Sequence, residues 1–135
     1  MLKLEHLGIA VRDLSRSIPL FEALLNTSCY KEELVETEAV RTAFFAAGPQ
    51  KIELLESTDP EGVIAKYIER RGEGLHHIAF VVSDLKAEMK RLQEAGFEPL
   101  NDIPRPGADN KMVCFLHPKN TNGVLVELCM EKPDL

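Results

Sequence analysis

Apolar and polar positions alternate along this chain in short runs, and stretches with helical spacing separate the runs. "KLEHLGIAV" from Lys3, "VRTAFFAAG" from Val40, "KIELLE" from Lys51, "GLHHIAFVV" from Gly74, "KMVCFLHP" from Lys111 and "GVLVELCM" from Gly123 each read as a strand. They combine β-branched and aromatic residues with a period near two, and glycine, proline or charge bounds them. "DLSRSIPLFEALLN" and "DLKAEMKRLQEAGF" instead bring apolar residues back at intervals of three and four, the period of a helix with one buried face. Asp13 and Asp84 stand where an N-cap belongs, since a short carboxylate can accept from the free amides of a first turn. Pro19 fits a first turn, which places the start of the first helix late, near Ser15 or Ser17. "TDPEGVIAKYIERRGEG" predicts a connecting helix over about 60–71, with Asp59 as cap, Pro60 in the first turn and Gly72 past the end.

The pattern repeats. "HLGIAVRDLSRSIPLFEALLN" from His6 overlays "HIAFVVSDLKAEMKRLQEAGF" from His77, and in each an Asp-Leu pair follows the histidine by seven residues. Further on, each half has a strand and then a second strand with one glutamate among apolar residues: Glu53, 47 residues after His6, and Glu127, 50 residues after His77. The chain therefore reads as one domain over 1–135 made of two β-α-β-β-β repeats, about 1–58 and 74–135, joined by the helix. The expected fold class is α+β, a cupped mixed sheet.

Alternation also sorts the faces. His6 shares a face with Gly8 and Ala10, and His77 with Ala79 and Val81, while Leu7, Ile9, Ile78 and Phe80 point the other way. Glu53 goes with Leu55, and Glu127 with Leu125 and Cys129. Large apolar residues on one face suit packing under helices; small ones beside the histidines leave room for a ligand. A carboxylate inside an apolar strand is costly unless it is paired, hydrogen-bonded or metal-bound. His6, Glu53, His77 and Glu127, related by the repeat, form an N and O donor set suited to a divalent ion such as cobalt, manganese, nickel, zinc or iron. His76 falls outside that set, and His117 in "FLHPK" reads as a loop or strand-end residue.

Composition narrows the class. With 44% hydrophobic and 28% charged residues the chain has the balance of a soluble globular protein, and a net charge of -6 gives no basic stripe for nucleic acid. No apolar run approaches the roughly 20 residues that span a membrane. The N-terminus does not read as a signal peptide. Three widely spaced cysteines, Cys29, Cys114 and Cys129, suit reduced thiols and a cytoplasmic location.

On "HLGIAV", "KIELLE", "RRGEGLHHIAFVV" and "FLHPKNTNGVLVEL", pieces whose spacing covers nearly the whole chain, the sequence resembles the vicinal-oxygen-chelate superfamily and, within it, the methylmalonyl-CoA epimerases. The resemblance implies paired β-α-β-β-β modules enclosing a metal, ligand positions at His6, Glu53, His77 and Glu127, an acyl-CoA substrate and a homodimer. The implied reaction is epimerisation at C2, with Glu127 handling one proton and Glu53 the other by loosening from the metal. Two departures stand out. Some relatives carry glutamine where this chain has Glu53. Some also place a non-ligating glutamate, described as a base, at the position of Thr42, whose hydroxyl is a poor base at neutral pH. Glu36 and Glu38 lie nearby, but too far along the chain to be assumed equivalent. Lys111 and Lys119 are candidate partners for coenzyme A phosphates, and the Gly/Pro-rich "NDIPRPGADNK" suggests a mobile edge. The rival readings are a glyoxalase I-like lactoylglutathione lyase or an extradiol dioxygenase of the same fold, and a metal-free small-molecule binding module.

Overall fold

The computed structural model describes residues 1–133. Two compact units form: a first module of residues 6–76, and a second made of residues 1–5 with residues 77 onward.

In the first module the strands are β1 (Lys3–Ala10), β2 (Lys31–Val35), β3 (Val40–Ala47) and β4 (Gln50–Ser57), in the order β2-β3-β4-β1. β1 runs parallel to β4, and β2–β3 and β3–β4 are antiparallel. Helix α1 (Leu14–Leu25) covers one face. Val11, Leu14, Ala43, Phe45 and Leu54 form the core beneath it, joined by Ile18, Phe21 and Leu25 of the helix. Phe45 and Leu54 are fully buried, and burying a side chain of this size stabilises by about 1.5–3 kcal/mol. The face opposite the histidine is thus the helix-covered one, as alternation predicts.

Two helix starts differ from expectation. α1 begins at Leu14, ahead of Ser15, because the Asp13 carboxylate accepts from both the Ser15 amide (2.9 Å) and the Ser15 hydroxyl (2.7 Å). Pro19 therefore lies inside the helix rather than in its first turn. It is tolerated because Pro19 and Ser15, whose carbonyl loses a donor, are both exposed to water. The connecting helix α2 spans Val63–Arg71, starting three residues later than predicted. Asp59 instead closes a turn, its carbonyl accepting from Gly62 (2.8 Å) and its carboxylate from Glu61 (2.9 Å). At the other end Gly72, at φ 78, stops the helix as expected.

The second module has β5 (Gly74–Val81), β6 (Arg105–Pro106), β7 (Lys111–Leu116) and β8 (Val126–Glu131), in the order β5-β8-β7-β6. β5 runs parallel to β8, and β8–β7 and β7–β6 are antiparallel. Helix α3 (Leu85–Glu94) packs Leu85, Met89 and Leu92 onto Val82, Cys114, Leu116 and Leu128. Asp84 caps it by accepting from the Ala87 amide at 3.1 Å. The predicted loop "NDIPRPGADNK" contributes the two-residue edge strand β6, kept short because proline has no amide to give a ladder.

Candidate functional site

In the first module the strand register places the chemistry. Glu53 of β4 lies opposite Gly8 of β1 on one side and Phe44 of β3 on the other, and Thr42 lies opposite Leu55 and Glu33. His6, Gly8, Glu53, Phe44, Thr42 and Glu33 thus share the face that the helix does not cover. His6 Nδ1 stands 3.0 Å from Glu53 Oε2, with both side chains about 5% exposed. Position 8, opposite Glu53, is a glycine and brings no side chain to that face.

The second module repeats this arrangement. Glu127 of β8 lies opposite Ala79 of β5 and Phe115 of β7. His77 Nε2 stands 3.3 Å from Glu127 Oε1, and the Phe115 ring meets the His77 ring edge-on at 5.6 Å. All four residues singled out by the sequence are buried, each paired with its own repeat partner. Donor atoms held about 2.0–2.2 Å from one ion lie roughly 3 Å apart at adjacent coordination positions. Each His–Glu pair has that separation, and imidazole with carboxylate is a donor set that first-row divalent ions accept.

The first module carries an extra carboxyl that motif matching passed over. Residues 36–38 form a short 3-10 turn after β2, and Ala39 turns the chain into β3 through a left-handed conformation at φ 53. A non-glycine residue held there costs about 1 kcal/mol or more, a kind of strain found often at functional sites. Glu38 is the last residue of this turn and is half-buried. Burial pushes the Glu38 carboxyl up to about 7; the charges of Glu53 and Glu33 add to the rise, and His6 opposes it. The hint in the sequence was a second acid in "VETEAVRT", close to Thr42. Thr42 itself is fully buried, and among the described residues its hydroxyl has no hydrogen-bond partner.

The remaining candidates fall elsewhere. His76 stacks edge-on against Tyr67 at 4.8 Å, and burial lowers its pKa to about 4. His117 ends a strand and accepts from the Lys119 amide through Nδ1 at 3.0 Å, matching its expected role. Lys111 is not the loop cation the sequence suggested: it is buried, with Nζ 2.7 Å from Glu131 Oε1 and 3.7 Å from Asp109 Oδ2. Its charge is already met. Lys119 is exposed and ion-paired with Glu98. The three cysteines are free thiols; Cys114 and Cys129 are buried, and burial pushes the Cys114 thiol up to about 11.

Residues 5–115 match the model of the Glyoxalase/Bleomycin resistance protein/Dioxygenase superfamily. The uncharacterised protein YqjC of Bacillus subtilis is 38% identical over 99% of this chain and 96% of its own. The ethylmalonyl-CoA/methylmalonyl-CoA epimerase of Cereibacter sphaeroides is 37% identical over 93% of this chain and 96% of its own. A solved methylmalonyl-CoA epimerase in complex with methylmalonyl-CoA and NH4+ superimposes with a TM-score of 0.92 at 32% identity, covering 97% of this chain and 95% of that one. The chain therefore belongs to that superfamily and, within it, to the methylmalonyl-CoA epimerase family, whose members are isomerases. Its fold class is the α+β class expected from the sequence, each module a mixed sheet with helices on one face. Among the described residues no helix is long and apolar enough to cross a membrane.

Proposed function

We propose that this isomerase interconverts the two C2 epimers of methylmalonyl-CoA, with His6, Glu53, His77 and Glu127 together holding one divalent ion, cobalt by preference. The observation carrying this reading is the duplicated buried imidazole–carboxylate pair, 3.0 Å apart in one module and 3.3 Å in the other, at equivalent repeat positions. Neither carboxylate is placed for packing alone, since each takes a position that a leucine or valine would fill at lower desolvation cost. When bound, the ion supplies a Lewis acid that makes negative charge on a substrate oxygen less costly.

The chain's own residues then act on the C2 proton, which lies between a thioester and a carboxylate and leaves its electron pair delocalised onto the thioester oxygen. Gly8 and Ala10 in one module and Ala79 in the other leave room for the acyl group. Phe44 and Phe115, next to the two glutamates, keep water from the reacting carbon. Glu127 removes or returns the proton on one face. Glu53 would serve the other face only by first loosening from the ion. As in the family resemblance, the functional form is proposed to be a homodimer, which sedimentation would establish.

The test is C2 epimerisation and deuterium uptake of methylmalonyl-CoA before and after chelation, with metal add-back. The expected outcome is loss of both on chelation and recovery with cobalt. Turnover of the glutathione–methylglyoxal hemithioacetal in place of methylmalonyl-CoA would overturn the reading in favour of a lyase.

A further inference from the structure

Resting on the epimerase reading, we infer that Lys31 binds the free carboxylate of the substrate, and that Glu33, released from Lys31 by that carboxylate, then accepts from the Thr42 hydroxyl. Every residue involved belongs to the first module. The ladder sets their positions: Lys31 of β2 lies opposite Phe44 of β3, Phe44 opposite Glu53 of β4, and Glu33 opposite Thr42. Partners across a ladder share a face, so Lys31, Glu33, Thr42 and Phe44 stand on the same side as Glu53, the side that helix α1 leaves uncovered.

Two observations point to an anion there. Lys31 Nζ lies 4.9 Å over the ring of the fully buried Phe44 and 3.3 Å from Glu33 Oε1, with the two charged side chains 38% and 29% exposed. Ring and carboxylate hold the ammonium beside the residue that faces Glu53, so little side-chain freedom is lost when an anion arrives. At 3.3 Å the ion pair is longer than the roughly 2.7–2.9 Å of a strong charge-assisted bond, and its exposure to water weakens it further. The second observation is Thr42, whose side chain is fully buried and whose hydroxyl has no partner among the described residues. Side chains directly opposite in an antiparallel pair have Cβ atoms about 4.5–5.5 Å apart, which brings the Glu33 carboxylate within reach of that hydroxyl. In the resting protein Lys31 holds the carboxylate away. A substrate carboxylate that takes over Lys31 frees Glu33 to satisfy Thr42, so a loose ion pair is exchanged for a new one and a buried donor gains its acceptor. The substrate carboxylate fits this position better than a coenzyme A phosphate, since the phosphates are a pantetheine's length from the acyl group.

The experiment measures Kd for methylmalonyl-CoA and for propionyl-CoA, which lacks the carboxylate, by titration calorimetry on metal-loaded protein, together with kcat for epimerisation. Lys31→Met should weaken methylmalonyl-CoA by about tenfold or more and propionyl-CoA by less than about twofold, with kcat within about threefold of wild type. Lys31→Arg should bring methylmalonyl-CoA back to within about threefold of wild type. Thr42→Val should weaken methylmalonyl-CoA by about threefold in the wild-type background and leave it unchanged beside Lys31→Met, where Glu33 already serves Thr42 before substrate binds. Unchanged binding in Lys31→Met, or an equal loss for both acyl-CoAs, would overturn the assignment of Lys31. The same effect of Thr42→Val in both backgrounds would overturn the exchange at Glu33. A wild-type protein that does not epimerise methylmalonyl-CoA would instead overturn the epimerase reading, and this assignment with it.

Discussion

The two modules use the same scaffold and differ in what surrounds the shared pair. Each sets a buried histidine against a buried glutamate, with a phenylalanine opposite the glutamate: His6, Glu53 and Phe44 in one, His77, Glu127 and Phe115 in the other. The neighbours then diverge. Where the first has Thr42 with an unpartnered hydroxyl, the second has Val113; where the first has Leu55, the second has Cys129. Lys31 lies 4.9 Å over the Phe44 ring and 3.3 Å from Glu33, whereas His77 itself meets Phe115. The first module adds Glu33 and Glu38. The second adds a buried Lys111 whose charge Glu131 and Asp109 meet. The imidazole–carboxylate pair recurs in both modules, and the asymmetry lies in the side chains around it.

The comparison breaks most visibly at the histidines. His6→Ala and His77→Ala should each cost about 100-fold or more in kcat and should each weaken retention of the proposed ion, because each removes one of its four donors. Metal analysis alongside kinetics checks this. Retention of the ion in one variant and loss in the other would mean that the modules are not equivalent as ligands.

Exchanging the residues that differ sharpens the contrast. Thr42→Val should stabilise the protein by about 1 kcal/mol, since it removes a buried hydroxyl without a partner. Val113→Thr should destabilise it by about 1–3 kcal/mol, since it creates one. Equilibrium urea denaturation separates the two signs. Equal effects would show that the Thr42 hydroxyl finds an acceptor in solution.

The smallest effect tests a likeness. Asp13→Ala and Asp84→Ala should each lower stability by about 1 kcal/mol, as both remove a side-chain acceptor from a first helical turn. A clearly larger loss at Asp13, read from thermal melts, would trace to its second bond, from the Ser15 hydroxyl.

Much of this was legible before any coordinates. A strand's side chains alternate whatever lies around it, so His6 with Gly8, His77 with Ala79, and the helix-covered faces led by Leu54 and Leu128 followed from period two alone. The caps at Asp13 and Asp84 and the stop at Gly72 are likewise local chemistry. Reading failed where two local signals competed. Pro19 suggested a late helix start, but Asp13 caps the turn before it and water satisfies the freed carbonyl. Asp59 with Pro60 resembled a helix start, yet Asp59 closes a separate turn.

The sequence by itself determined the duplicated modules, the orientation of their strands' faces and the four residues of the proposed ion set, because each depends on spacing within a segment. Only the tertiary structure decided that Glu38 is half-buried at its turn, that Thr42 is buried without a partner among the described residues, and that Lys111 is enclosed rather than free to meet a phosphate. Those outcomes depend on where a turn aims the chain, as at Ala39 with its φ of 53, and on which charges meet across neighbouring strands. No periodicity encodes either, since both arise between segments that are distant in sequence.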